Sequence, residues 1–169
     1  MHDTSFEPDP RWLARLAKGY DVREGEVDAE TPAREHAGRG YKVATGPMYS
    51  TVDDLARFVG FQLGGGPEHV LSRKMLDEVL ERRGSSRGRL AWGYGIGIQA
   101  ARRGDFVARG HYGVVAGCTA AAHFDLDSGL GIIVLRNVSG GAMDVLEDAI
   151  QCLKRMAAVR PLQPRPPVR

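Results

Sequence analysis

The chain has 169 residues, the length of about one domain and enough to bury a sizeable apolar core. Its 23 basic and 21 acidic residues leave a net charge of +2, which gives no reason to expect nucleic acid or an anionic membrane as a partner. Two cysteines, Cys118 and Cys152, are too few for a metal-binding spacing or a disulfide framework. We therefore expect no metal and no cofactor.

The N-terminus predicts no targeting segment. Residues 1–10 are acidic and polar, without the basic and apolar regions of a signal peptide. No apolar run approaches the roughly 20 residues that cross a bilayer. The sequence as written predicts a soluble cytoplasmic protein, or a periplasmic or secreted one if a signal precedes it.

The first 46 residues predict one short helix and a long connection. Pro10 can begin a helix, and apolar residues recur after it at helical spacing: Trp12, Leu13 and Leu16. From about Asp21 to Gly46 the chain is polar and rich in glycine. A structureless connection of this length is uncommon inside a compact domain. It indicates either a functional surface loop or the absence of neighbouring chain.

Two helices are predicted next. Ser50 followed by Asp53 is typical of a helix cap, and residues 64–66 are glycines that end the helix. Its apolar stripe is Leu55, Phe58, Val59 and Leu63. A second helix starts after Ser72 and ends near residues 82–84. Its predicted buried side is Met75, Leu76, Val79 and Leu80.

From residue 92 the apolar pattern predicts strands and then a last helix. The candidate strands are WGYGIGIQ (92–99), DFVARG (105–110), TAAAHFDL (119–126) and LGIIVLRN (130–137), the last two joined by a turn at 127–129. The final helix runs from about Ala142 to Ala158 with a stripe of Leu146, Ile150, Leu153 and Ala157. The order predicts an α+β fold, an antiparallel sheet flanked by helices.

Apolar residues on both sides of the last strand predict that both sheet faces are covered. Leu130, Ile132 and Val134 point to one face, and Ile133 and Leu135 to the other. We also expect His123 to face a solvated or polar edge, and Cys152 to be buried packing. The tail at 160–169 carries four prolines; its P-x-x-P spacings allow an SH3-type ligand, but a disordered tail is the simpler interpretation. The predicted domain is 1–159.

Five segments in order resemble one protein family, the class C β-lactamase-like serine hydrolases. They are HDTSF (2–6), LAKGYDV (16–22), GPMYSTVDDLARFVGFQLGGG (46–66), WGYGIG (92–97) and GHYGVVAGCTAAAHFDLDSGLGIIVLRN (110–137). The last contains a triplet similar to the family's K/H-x-G motif. The resemblance implies that residues 1–159 are the C-terminal part of a β-lactamase/transpeptidase-like fold.

The resemblance also implies a nucleophilic chemistry whose main groups are missing. In the family a Ser in S-x-x-K attacks a carbonyl, its Lys helps to remove the proton, and a Tyr in Y-x-N assists. No serine here has Lys three residues later, and no tyrosine has Asn two residues later. We therefore expect the nucleophile to lie outside the chain and the chain to be inactive alone.

The residues that match the family's substrate wall are His111, Tyr112, Gly113, Val114 and Asn137. By resemblance, His111 takes the place of the family's Lys beside the substrate, and the Val114 N–H is one of two oxyanion donors. Gly113 would let substrate approach the strand, and Asn137 would lie near the substrate end of the next strand. Read without the family, His111 is a structural or solvated residue and Asn137 a turn residue.

Other candidate nucleophiles have simpler interpretations. Tyr49 and Ser50 are explained as a packing residue and a helix cap. Cys118 with His111 could form a thiol nucleophile, but no family pattern supports it.

Three hypotheses remain open. The chain could be a hydrolase fragment, completed by an upstream segment or a partner chain, that takes a small acyl substrate: a β-lactam, a short ester or a D-amino-acid peptide. It could be a non-enzymatic binding module or gene remnant that keeps the substrate-facing strand. It could also be a truncation product without a stable fold, with an exposed strand edge and sheet face that favour aggregation.

Overall fold

A computed structural model of the protein describes residues 1–7, 10–33, 46, 48–81, 92–115 and 117–160. Over these ranges the chain forms a five-stranded antiparallel sheet with helices on both faces, and a separate two-stranded hairpin. The α+β prediction is confirmed. The expected ends of the second helix (82–84) and most of the proline-rich tail (161–169) lie outside the described residues.

The helices and strands have the following bounds. They are a 3₁₀ helix (Pro10–Arg15), β1 (Tyr20–Arg23), β2 (Glu26–Pro32), α1 (Val52–Gly60) continuing into a π-helical turn (Phe61–Gly65), α2 (Arg73–Leu80), β3 (Trp92–Tyr94), β4 (Gln99–Arg103), β5 (Phe106–Val115), β6 (Cys118–Asp125), β7 (Leu130–Arg136) and α3 (Ala142–Val159). The hairpin is β1–β2, and the main sheet has the order β3-β4-β5-β6-β7. Each strand of the sheet pairs with its neighbour in sequence, so only tight turns are needed.

One face of the sheet is covered by α3, as its apolar stripe predicts. Leu146, Ile150 and Leu153 are each 0% exposed. They pack with Ala101 and Ala108 of β4 and β5. Each buried leucine or isoleucine stabilises the fold by about 1.5–3 kcal/mol through removal of its surface from water. Leu130 and Ile132 of β7 contact the same cluster, which confirms their shared face.

The opposite face packs against α1 and α2. Val59 of α1 and Leu76 of α2 join Phe124 of β6 in a second core cluster, and Ile133 of β7 packs against it. The strand β7 therefore has apolar contacts on both faces, as predicted. The predicted apolar stripes of α1 and α2 include one residue each that is not buried, however: Phe58 is 40% exposed and Met75 is 54% exposed.

The cap of α1 lies one residue later than predicted. Thr51 has extended backbone angles, and its Oγ1 accepts a hydrogen bond from the Asp54 N–H at 3.2 Å. Ser50 instead shares a 2.9 Å hydrogen bond with Thr4 Oγ1. At the other end, Gly64 adopts a positive φ of 94° and stops the helix as expected. The predicted start of α2 after Ser72 is confirmed, and Ser72 Oγ caps the helix by accepting from the Met75 N–H.

The expectation of a structureless connection from Asp21 to Gly46 is wrong for its first part. β1 and β2 form an antiparallel hairpin that turns at Glu24 and Gly25, both with positive φ. Most residues of the hairpin are exposed, so it lacks the apolar alternation that normally marks strands. Residues 34–45 and 47 of the predicted connection lie outside the described part.

Two burial predictions are also wrong. His123 lies in the middle of the sheet with 0% exposure, because β5 and β7 flank its strand and α3 covers its face. Cys152 is exposed. It lies next in sequence to the buried Leu153, on the outer side of α3, which a single apolar stripe cannot cover.

No helix in the described part of the chain is long and apolar enough to cross a membrane.

Candidate functional site

The strand β5 is paired on both sides only at residues 109–110. β4 pairs with residues 106–110, whereas β6 pairs with residues 109–115. Within the described residues, no strand lies beside 111–115 on the β4 side. Because backbone groups of an antiparallel strand alternate in direction, about half of those in this segment point away from β6. Residues 111–115 are called the open edge of β5 below.

The open edge exists because β4 starts late. The chain turns back between β3 and β4 at residues 95–98, where the Gly95 N–H donates to the Ile98 carbonyl at 2.8 Å. The turn is held against α2 by a bond from the Ile96 N–H to the Val79 carbonyl at 2.9 Å. A side chain at Gly95 would lie 2.2 Å from that carbonyl. Close packing on α2 therefore fixes the turn, and with it the start of β4.

Gly110 is the last residue of β5 that pairs with β4, immediately before the open edge. Its φ is +153°, and an added Cβ would lie 2.0 Å from the Ala122 carbonyl oxygen of β6. Both features exclude a side chain here. Glycine thus lets β5 lie against β6 immediately before His111.

His111 is exposed at the start of the open edge and contacts three groups. Its Nδ1 is 2.8 Å from the Tyr112 carbonyl oxygen, and its Nε2 is 3.4 Å from Gln99 Nε2. The ring of Tyr94 meets the imidazole edge-on with centroids 6.1 Å apart. Gln99 also donates to Tyr94 Oη at 2.5 Å. The structure therefore places Tyr94 and Gln99 beside the predicted site residue.

These two neighbours were not predicted as site residues. Both lie in the segment WGYGIGIQ, which was expected to be one strand. The segment instead folds back as β3, a turn and β4, so Tyr94 pairs directly with Gln99. The glycines at 93, 95 and 97 were the available signal for a turn.

The other predicted residues of the triplet lie on different sides of the strand. Tyr112 packs with the clusters under α3, so its side chain serves the core. Gly113 is exposed, and an added Cβ would meet nothing within 4 Å. Val114 is 41% exposed. The open edge is therefore free of its own side-chain bulk at Gly113.

Asn137 is not brought to His111. His111 pairs with Ala122, which pairs with Ile133, so Asn137 lies two strands away and four residues further along, on the order of 15 Å by strand spacing. Its Nδ2 donates to the Lys18 carbonyl oxygen at 3.1 Å. In this arrangement Asn137 anchors the segment before β1, where the Tyr20 N–H also reaches the Asn137 carbonyl.

The alternative nucleophiles have no activating base among the contacts that the structure describes. Ser50 Oγ contacts Thr4 Oγ1 and the Thr51 carbonyl. Burial raises the pKa of the Cys118 thiol, which disfavours the reactive thiolate. Cys118 pairs with Val115, four residues along the strand from His111. The described residues also contain no cluster of three or more His, Cys, Asp or Glu that could hold a metal.

Asp54 has a structural role beside Ser50. Its buried carboxylate accepts hydrogen bonds from the Asp3 N–H and from Thr4 Oγ1, both at 2.8 Å, and pairs with Arg57 at 2.6 Å. Burial by itself would raise its pKa, but these bonds outweigh that effect and lower the pKa to about 2. The carboxylate therefore ties the N-terminal segment to α1.

A scan against protein-family models matches the β-lactamase family over residues 1–154. The chain belongs to the β-lactamase family. This confirms the family that the sequence segments resemble. A comparison with curated proteins found no match.

Solved structures agree with this β-lactamase-family fold. The chain is similar to a penicillin-binding protein homologue from Pyrococcus abyssi, described as octameric, with a TM-score of 0.72, 19% identity, and coverage of 94% of this chain and 34% of that one. It is also similar to a D-amino acid amidase from Ochrobactrum anthropi SV3, complexed with D-phenylalanine, with a TM-score of 0.64, 25% identity, and coverage of 92% of this chain and 49% of that one. For a D-stereospecific amidohydrolase from Streptomyces sp., the TM-score is 0.60 and the identity 24%, with coverage of 87% of this chain and 43% of that one. The chain spans less than half the length of each of these structures.

Proposed function

We propose that this chain forms the substrate-facing wall of an acyl-transferring serine hydrolase site. The observation that carries the proposal is the open edge of β5, which begins at the exposed His111 and has free space over Gly113. An exposed sheet edge binds an extended ligand through backbone hydrogen bonds. The family match makes a hydrolase the relevant class for such an edge.

The expected ligand lies along the open edge with its acyl group beside Gly113. The Val114 N–H then acts as one of the two oxyanion donors of the family chemistry, which stabilise the charge that develops on the carbonyl oxygen. His111 contacts the far end of the ligand. The substrate classes are β-lactams, short acyl esters and D-amino-acid amides or peptides, a choice supported by the names of the similar amidase and amidohydrolase.

The chain is proposed to be inactive alone. Neither S-x-x-K nor Y-x-N occurs in its 169 residues, and an oxyanion donor without a nucleophile forms no acyl-enzyme. Activity would require an upstream segment or a second chain that supplies both motifs. Reading the DNA upstream of Met1 for in-frame S-x-x-K and Y-x-N tests this requirement directly.

Covalent labelling tests the inactive state. The purified chain is incubated with a fluorophosphonate and with a fluorescent penicillin, and its mass is measured. We expect no adduct with either probe. A stoichiometric adduct would overturn the proposal, and a Ser50→Ala variant would then show whether Ser50 carries the label.

The second candidate function is non-enzymatic binding at the same edge. It is favoured by the combination of an open edge and the absent catalytic motifs. Titration of the ¹⁵N-labelled chain with D-phenylalanine amide should then shift the backbone amides of residues 111–115. Gly113→Val is the matched control, because its side chain enters space that is open in the protein. Loss of the shifts in this variant supports edge binding, whereas shifts that persist would place the ligand elsewhere.

A further inference from the structure

Gln99 has a buried side-chain amide within 3.4 Å of the exposed His111 ring. Its side chain is only 5% exposed, although it opens a strand next to a turn. Its Nε2 lies 2.5 Å from Tyr94 Oη and 3.4 Å from His111 Nε2. An amide nitrogen carries two hydrogens, so it can donate one to each partner. Within the described residues, the amide oxygen has no hydrogen-bond partner.

The second ring nitrogen of His111 fixes the direction of these bonds. Nδ1 lies 2.8 Å from the Tyr112 carbonyl oxygen, and a carbonyl oxygen can only accept. Nδ1 must therefore carry a hydrogen and donate it. In the neutral ring, Nε2 is then the acceptor, which matches the amide hydrogens of Gln99 that face it.

The opposite arrangement satisfies fewer groups. A half-turn of the Gln99 amide would present its oxygen to Tyr94 and to a protonated His111 Nε2. It would also move the NH₂ group, with two donors, into the buried position where the amide oxygen has no partner. Two unpaired buried donors are worse than one unpaired acceptor. The contacts therefore favour the amide hydrogens facing Tyr94 and His111.

We infer that Gln99, supported by Tyr94, is a positioning residue that, together with the Tyr112 carbonyl, sets the orientation and the Nδ1–H tautomer of His111. The tautomer of a histidine is set by the hydrogen bonds that its two nitrogens make. The imidazole is thereby held at the start of the open edge with a defined pattern of hydrogens. This inference uses the proposed function only for its consequence, namely that the positioned ring faces the acyl ligand.

Nitrogen NMR of the chain without ligand tests the inference. The protein is labelled with ¹⁵N-histidine, and His111 is identified by comparison with His111→Gln. At a pH where the ring is neutral, we expect a protonated Nδ1 and an unprotonated Nε2. In Gln99→Leu, which keeps a similar side-chain volume without an amide, only the Tyr112 carbonyl still favours a hydrogen on Nδ1. We therefore expect a mixture of tautomers, with a signal from a protonated Nε2 beside that from a protonated Nδ1.

Gln99→Glu gives the reciprocal test. A carboxylate can only accept, so His111 should carry hydrogens on both nitrogens up to a higher pH than in the wild type. Identical His111 nitrogen signals in the wild type, Gln99→Leu and Gln99→Glu, with circular dichroism showing all three folded, would overturn the inference. Tyr94→Phe keeps the ring contact but removes Oη, and a smaller change in the same direction as Gln99→Leu is expected. Because no substrate is added, these results do not depend on whether the chain binds an acyl ligand.

Discussion

Acidification should destabilise this protein through His123. The imidazole is 0% exposed, and within the described residues neither ring nitrogen has a hydrogen-bond partner. Burial lowers the pKa of His123 from 6.5 to about 4, with a smaller contribution from repulsion by His111. Between these two values the unfolded chain binds a proton that the folded protein does not, so stability rises with pH across this window.

The size of the effect follows from the two pKa values. A folded pKa of about 4 against 6.5 in the unfolded chain makes the wild type less stable at pH 5 than at pH 7 by roughly 2 kcal/mol, and at pH 4 by roughly 3 kcal/mol. The acidic groups affect the free energy of unfolding at lower pH than His123 does. The pKa values of Asp54 and Glu147 fall from 3.8 and 4.5 to about 2, so their stabilisation is lost only as pH falls below about 4.5.

The assay is urea unfolding at pH 7, 6, 5 and 4, followed by circular dichroism, on the wild type and on His123→Leu. Leucine has a similar volume and no titrating group, so the variant should keep nearly constant stability between pH 7 and 5. The wild type should lose its roughly 2 kcal/mol in the same interval. Parallel pH profiles of the two proteins would refute the assignment of this loss to His123.

Four substitutions to alanine test the packing around the site and the core by urea unfolding. Gly110→Ala should lower the free energy of unfolding by several kcal/mol or prevent folding, because its Cβ would lie 2.0 Å from the backbone of β6. Gly113→Ala is the control and should change stability by less than about 0.5 kcal/mol. Equal effects of the two substitutions would contradict the described backbone. Thr51→Ala should cost about 1 kcal/mol through loss of the α1 cap; no loss would mean that Thr51 is not the cap. Leu146→Ala should cost about 2–5 kcal/mol because the side chain is fully buried under the sheet, and a loss below about 1 kcal/mol would indicate that α3 does not pack there.

The sequence predicted the parts of the fold that follow from local patterns. Leu146, Ile150 and Leu153 share one helical stripe, and all three are buried as that stripe implies. The alternation in β7 likewise predicted contacts on both faces. The family segments predicted the β-lactamase family, which the family comparison shows. These signals are local in the chain, so one sequence is sufficient to detect them.

Local pattern was insufficient where burial depends on distant neighbours. His123 is polar and was expected at a solvated edge, but β5, β7 and α3 enclose it. The hairpin β1–β2 lacks apolar alternation because most of its residues are exposed, so its strands were missed. Asn137 and His111 both match family motifs, yet the sheet register separates them by two strands.

The sequence by itself determined the family, the helical stripes, the position of the His111 triplet and the absence of S-x-x-K and Y-x-N. Only the tertiary structure decided that β4 ends its pairing at Gly110, which leaves the open edge, and that Gln99 and Tyr94 meet His111. The physical reason is that a strand's register and the point where it loses a partner depend on how the turn at residues 95–98 packs against α2. That contact joins segments distant in the chain, and no local pattern specifies it.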